Sequence, residues 1–337
     1  MTTSEFHWGY LVAAFAFVLS TVQAAPAVAL ASRLARGAWG IPARQRCDAL
    51  GLTALITAPV GILLLGRLPD WHVRPSIWFD WLGAPLVWHT LAYVILAIVA
   101  LALAGVALMP QRMAWHGAAR QWRAITWASI ALGSLYLMTF VLLHVLVASD
   151  FALSLVPGWS SGNFPAYHAV SALQGGVATT VLLLALVSRA GQPVPRETFH
   201  ACARLLLALA LLWFYFTWSE LLTYWYGRTP QELELLAVLM FGPTSLPLFV
   251  VSACLCCVIP IVLLIWNPIR GSVAGTTLVA ALVVIGLYVD RIRIFSVAWS
   301  VAVQPGPLEA VVLVGVPALA LLLALLTTRL LRPIPAY

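Results

Sequence analysis

Lysine is absent from this chain of 337 residues: all 18 basic side chains are arginine. Charge of either sign is scarce, 9% of residues with only 11 carboxylates. A soluble chain of this length needs far more charge to cover its surface, so a soluble domain is excluded. The formal charge of +7 is not a nucleic-acid signature, because the arginines are spread between hydrophobic runs. Arginine in place of every lysine reads as codon bias rather than chemistry. Cysteine is also sparse. Cys47, Cys202, Cys254, Cys256 and Cys257 lack the paired C-x-x-C spacing of zinc or iron–sulfur sites. The last three lie in an apolar run and read as small packing residues. No basic segment precedes the first apolar run and no clear cleavage site follows it, so a removable signal peptide is not expected.

What the chain has instead is hydrophobic length. Hydrophobic residues make up 63% of it, and mean hydropathy is +0.99. Nine stretches can cross roughly 30 Å of hydrocarbon as helices: about 8–33, 48–67, 84–109, 125–149, 167–188, 204–227, 246–266, 272–295 and 308–331. The expected fold is all-α, a single integral membrane domain over 1–337 with short connections and antiparallel neighbours. Pro26, Pro59, Pro260 and Pro317 fall inside spans and predict kinks. Arg33, Arg36, Arg44, Arg46, Arg112, Arg120, Arg123, Arg189, Arg196, Arg204, Arg270, Arg329 and Arg332 fall on alternate loops. Arg67, Arg74, Arg228, Arg291 and Arg293 fall on the opposite set. The positive-inside rule then puts the N-terminus outside and the C-terminus in the cytoplasm.

With that orientation the titratable residues of the spans gather on the outer side. They are Arg67 and Asp70 after the second span, Trp88-His89 opening the third, and His144 and Asp150 ending the fourth. Glu220 lies in the sixth, and Asp290-Arg291-Ile-Arg293 ends the eighth. The cytoplasmic halves read as almost purely aliphatic. Ionisable groups in hydrocarbon are expensive and usually functional. His144 and Asp150 lie about 9 Å apart along one helix and about 120° apart around it. That places one inside the apolar layer and one near its edge, a geometry suited to passing protons to water. Glu220 shares a helix face with Tyr224 amid aromatics. Blander readings stand beside these. His7, His72, His116 and His200 read as interfacial; Asp290 with its arginines could be an exposed charge cluster; Arg67 with Asp70 could be a loop ion pair worth little. Most tryptophans mark headgroup belts, while Trp88 and Trp159 could wall a flat ligand. His89, His144 and His168 as haem ligands are disfavoured.

Several stretches resemble the NrfD-like integral membrane subunits of the polysulfide-reductase type. They are Gly66-Arg67-Leu-Pro69, Ala84-Pro85-Leu-Val-Trp88, and Trp115-His-Gly-Ala-Ala-Arg120-Gln-Trp122. The most specific is His144-x5-Asp150-Phe151-Ala-Leu-Ser-Leu-Val-Pro157-Gly158-Trp159 with Asn163-Phe164-Pro165-Ala-Tyr167. Trp218-Ser-Glu220, Phe241-Gly242-Pro243, Val258-Ile-Pro260 and Gly286-Leu-Tyr-Val-Asp290-Arg291 follow in order. Within that family the chain is most similar to the quinol-binding subunit of alternative complex III. The resemblance implies two side-by-side four-helix bundles (about 8–149 and 167–295) with a last helix at 308–331, and no haem or metal in the chain. It implies menaquinol or ubiquinol at His144 and Asp150, near Arg67, Trp88, His89 and Tyr167. It also implies a proton path at Glu220, Asp290 and Arg291, which Tyr224 joins as the i,i+4 neighbour of Glu220. Implied partners are an iron–sulfur subunit on the periplasmic side, a c-type cytochrome or molybdopterin-type subunit, and a second NrfD-like subunit, in a bacterial inner membrane. Two departures stand out: the chain starts directly at Phe6-His-Trp-Gly without the extra N-terminal helix, and Leu19-Ser-Thr-Val-Gln-Ala-Ala-Pro26-Ala replaces a Gly-His-Ala-Gly-type segment.

The residues and the resemblance together predict a subunit of a quinol-oxidising or quinone-reducing complex, not catalytic alone. In it His144 takes a quinol proton and Asp150, nearer water, passes it on. The rival is a structural or proton-path subunit that binds no quinone. A transporter is disfavoured, because the polar residues are biased to one side and no inverted repeat is evident. A fluorescent protein fused after Tyr337 is expected to fluoresce in the cytoplasm, and alkaline phosphatase fused there to be inactive; the opposite pattern would invert the topology.

Overall fold

The computed structural model describes residues 6–68, 84–112, 119–156, 159–299 and 305–330. Among them there is no strand, and nine helical segments are long and apolar enough to cross a membrane. The protein is a multi-pass membrane protein. Its outward faces carry large apolar side chains, such as Leu91, Ile98, Met138, Leu211, Phe214, Val262 and Val314. Its interior holds the buried polar groups, the arrangement expected where lipid is the solvent.

The first span is broken. Helices α1 (Trp8–Ser20) and α2 (Ala25–Leu34) are separated by a 3₁₀ turn, Val22–Ala24, and Thr21 departs from helical angles. The predicted kink at Pro26 is therefore a break just before it. Proline opens α2, where its missing N–H is not needed. The backbone groups freed in the turn find partners: the Tyr136 hydroxyl donates to the Gln23 carbonyl, and the Thr21 hydroxyl to the Phe17 carbonyl. Thr57 donates to the Gln23 side-chain carbonyl. Such satisfaction is what permits irregular backbone at membrane depth.

The second span is α3 (Ile41–Ala49) and α4 (Ala54–Leu65), joined by a 3₁₀ turn, with Pro59 inside α4. Then come α5 (Ala84–Arg112), α6 (Ala119–Phe151), α7 (Phe164–Arg189) and α8 (Arg196–Gly227). The short α9 (Pro230–Leu236) leads through a π turn to α10 (Ser245–Ala253). A second π turn, Cys254–Val258, precedes α11 (Ile259–Ile265), so Pro260 again sits where a helix restarts. The one-turn α12 (Asn267–Arg270), α13 (Val273–Ala298) and α14 (Pro307–Leu330, with Pro317 inside) complete the chain. Cys256 and Cys257 pack in the interior.

Contacts close two rings of helices. In the first ring, α1/α2 meets α3/α4, which meets α5; α5 meets α6, and α6 returns to α2. In the second, α7 meets α8, α8 meets α11, α10 meets α13, and α13 returns to α7. The seam is made by α1 against α13 and α7, α2 against α7, and α6 against α7, with α14 packed on α1. One glycine fixes how closely the seam closes. A Cβ on Gly175 would lie 2.1 Å from the Ser20 carbonyl oxygen, so α7 and the end of α1 touch backbone to backbone.

The sequence expectation of aliphatic cytoplasmic halves does not hold. Asp48 is buried in a bidentate pair with Arg33, one arm at 3.0 Å, and Arg44 donates to the Ser32 and Gly37 carbonyls at 2.8 Å. Gln23, Thr57 and Tyr136 are buried deeper in the same ring. These were missed because Arg33 and Asp48 fall at predicted span ends, where solvent is the default assumption. Gly175→Val is expected to destabilise the protein by about 1–3 kcal/mol through overpacking, read as a lower unfolding temperature in detergent than wild type.

Candidate functional site

Antiparallel succession brings five helix ends together: the start of α5, the end of α6, the start of α7, the end of α8 and the end of α13. His89, His144 and Asp150, Tyr167 and His168, Glu220 and Tyr224, and Asp290, Arg291 and Arg293 all sit there, and each is buried. The one-sided crowding read from the sequence is therefore present in three dimensions, and it resolves into three groups.

The first is a histidine–carboxylate pair across α5 and α6. His89 Nδ1 meets Asp150 Oδ2, with both side chains almost fully buried. Asp150 was expected near water at the edge of the layer; its 2% exposure corrects that. The helix bundle covers the end of α6 with α5, whose His89 supplies the carboxylate's partner. Two other expected quinol contacts lie outside this pair's interior. Trp88, 48% exposed, lies on the outward side of α5, because consecutive helical residues are turned about 100° from each other. Arg67 is exposed and stacks over the Trp8 ring, 4.7 Å from its centroid. Asp70, its expected partner, lies outside the described residues, as do Pro69, His72, His116, Arg74, Pro157, Gly158 and Arg332.

The second group stands at the seam. His144 Nδ1 donates to the Phe140 carbonyl at 2.9 Å, which fixes the proton on that nitrogen and leaves Nε2 a lone pair. Its ring lies 5.1 Å from that of His168 on α7. Both side chains are fully buried; His144 Nε2 has no hydrogen-bond partner, and the His168 ring meets the His144 backbone. Phe140, Phe164 and Phe295 pack around the two rings. Two imidazoles fall short of the three or four protein ligands of a zinc site. Sequence reading set His144 and His168 together only as disfavoured haem ligands, since a lone histidine on an apolar helix usually reads as core. The available signal was the polar stripe Tyr167, His168, Ser171, Gln174 on one side of α7.

The third group belongs to the second ring. Asp290 is fully buried and held by Arg293 at 2.8 Å, Arg291 at 3.2 Å and the Tyr167 hydroxyl at 2.8 Å. Arg291 also donates to Ser20 of α1, at 3.2 Å, and to Ser171 of α7; Arg293 donates to the Leu239 carbonyl at 2.9 Å. The alternative of an exposed interfacial charge cluster is excluded for these residues. Tyr167, expected at the quinol, is engaged here instead. Glu220 accepts from Tyr224, from Ser161 at 2.7 Å and from Asn163 at 3.2 Å. The expected i,i+4 pairing with Tyr224 is present. A cavity of about 30 Å³, room for a water or two, lies between these residues. Tyr167, Glu220, Tyr224 and Arg293 line it, with Trp159 and Phe164 as aromatic walls.

No protein-family model matches this chain, and a search of curated proteins finds no match. Asp290→Ala is expected to destabilise the protein by about 3–5 kcal/mol, because it leaves two buried guanidinium groups uncompensated. Asp290→Asn should cost less; equal unfolding temperatures for Asp290→Ala and wild type would contradict the network.

Proposed function

We propose that this chain is the membrane subunit of a quinol-oxidising, or in reverse quinone-reducing, respiratory oxidoreductase complex. The observation that carries the reading is the buried His89–Asp150 pair across α5 and α6; His144, six residues before Asp150 on α6, has an Nε2 without a hydrogen-bond partner. Oxidising a quinol means removing two protons from hydroxyls on opposite sides of one ring, so two acceptors within one apolar site are needed. A carboxylate that holds an imidazole fixes its orientation and stabilises the imidazolium it becomes, as in other histidine bases. His89 is therefore the better-equipped first base, and His144 the second. This modifies the sequence expectation, in which Asp150 served His144. The Phe140 ring beside His144 fits a lipid-borne ring, and Trp88 marks the lipid side of α5. The electrons pass to the redox centre of a partner, for which an iron–sulfur subunit in a bacterial inner membrane is the implied candidate. A c-type cytochrome or molybdopterin-type subunit and a second NrfD-like subunit are further candidate partners.

The Asp290–Tyr167 and Glu220–Tyr224 groups favour a second reading, a proton-path subunit that binds no quinone, because they form a polar route independent of the His89–Asp150 pair. The two readings part on one measurement. In the native complex, His89→Ala and Asp150→Asn are each expected to lower quinol turnover about 10²- to 10⁴-fold, the range for removing a general base. Wild-type turnover in both variants, with quinone-site inhibitors still bound, would favour the second reading.

A further inference from the structure

The opposite end of the bundle from the histidine groups carries a surface feature of its own, at the turn between α7 and α8. α7 closes through Gly191, whose φ of +85° suits glycine, and the Gln192 N–H reaches back to the Val187 carbonyl at 3.3 Å. Pro193 and Pro195 then carry the chain, without helix, to the start of α8 at Arg196. The result is an open hollow of about 550 Å³, lined by Ser188, Gly191, Gln192, Pro193, Val194 and Pro195. We propose that this hollow binds the headgroup of an anionic phospholipid, with Arg189 and Arg196 as the phosphate ligands. The inference does not depend on the quinol reading.

Three observations carry it. The lining holds no carboxylate, and its polar side chains can donate: the Ser188 hydroxyl and the Gln192 amide. Arg46 of α3 donates to Gln192 Oε1, which ties α3 to the turn and leaves the amide nitrogen of that side chain for a ligand.

Next, the arginines that flank the hollow in the chain are available. Arg189 and Arg196 are exposed, and neither pairs with a carboxylate among the described residues. Arg33 and Arg44, at the same end, are instead committed, the one to Asp48 and the other to Ser32 and Gly37. Glu197, next to Arg196, is the acidic residue of this turn, and Arg46 at Gln192 keeps the local balance positive. Guanidinium groups match phosphate oxygens bidentately.

Finally, the apolar part of the hollow selects a lipid over a free anion. Pro193, Val194 and Pro195 form one wall, and Leu186, two residues before Ser188, is 45% exposed. Inorganic phosphate has no use for that surface, whereas a headgroup that continues into acyl chains covers it. The site also falls on the expected cytoplasmic side, where the leaflet is anionic and basic pockets between helices take lipid headgroups.

The test uses the full-length chain, purified in detergent and stripped of lipid, with binding read by native mass spectrometry. The probes are phosphatidylglycerol, phosphatidylcholine and inorganic phosphate. Wild type is expected to bind phosphatidylglycerol more tightly than phosphatidylcholine, and inorganic phosphate is expected not to displace it. Arg189→Gln and Arg196→Gln should each weaken phosphatidylglycerol about 5-fold, and the double variant about 30-fold. Arg123→Gln, which neutralises an exposed arginine on α6, should leave binding unchanged. Equal affinity for the two lipids in wild type would overturn the site. An equal loss in Arg123→Gln would show diffuse surface charge and overturn it too. Displacement of the lipid by inorganic phosphate would make the hollow a soluble-anion site and overturn the lipid assignment.

Discussion

The joint between the two helix rings depends on one buried carboxylate. Asp290 is fully inside the bundle, where an uncompensated charge would cost several kcal/mol, and two guanidinium groups and a phenol hold it. That solution brings an excess positive charge, which is spread over neutral acceptors: the Ser20 and Ser171 hydroxyls and the Leu239 carbonyl. The acceptors come from α1, from α7 and from the turn before α10. No helix among these can rotate or slide without unpairing a buried group. The cluster therefore fixes geometry more than it supplies net stability.

The broken first span follows from the same constraint. α1 ends at Ser20, and its hydroxyl accepts from Arg291. Gly175 lets α7 approach the Ser20 carbonyl closely enough for Ser171, one turn earlier, to reach the same guanidinium. The break then needs partners of its own, which Tyr136, Thr57 and Gln23 supply from within the first ring. Packing, backbone irregularity and charge burial are thus one arrangement, read from three directions.

Much of this was legible in the sequence. Nine apolar stretches and short connections define an antiparallel all-α bundle, and the bias of titratable residues toward one end emerges from their positions at alternating span ends. The pairing of those residues was less accessible. His144 and Asp150 share a helix, and their sequence proximity suggested a working pair. Their separation of about 120° around the axis already argued otherwise: side chains so far apart face different neighbours, here His168 and His89. Arg33 and Asp48 escaped notice because a charged residue at a span end is indistinguishable from a solvated one until its neighbours are known. Proline positions gave the irregular points of the spans, but not whether a helix runs on through the proline, as at Pro59, or restarts, as at Pro26 and Pro260.

The two histidine pairs differ in a way that bears on why each exists. His89 and Asp150 satisfy one another, so a structural role would account for them. His144 and His168 are less well satisfied: His144 Nε2 is buried without a partner, and the His168 ring has the His144 backbone as its polar contact among aromatic side chains. At position 168 a phenylalanine would suit the surroundings of Phe140, Phe164 and Phe295 and leave no polar atom stranded. Sequences that break a local packing rule without local compensation do so most often at working sites.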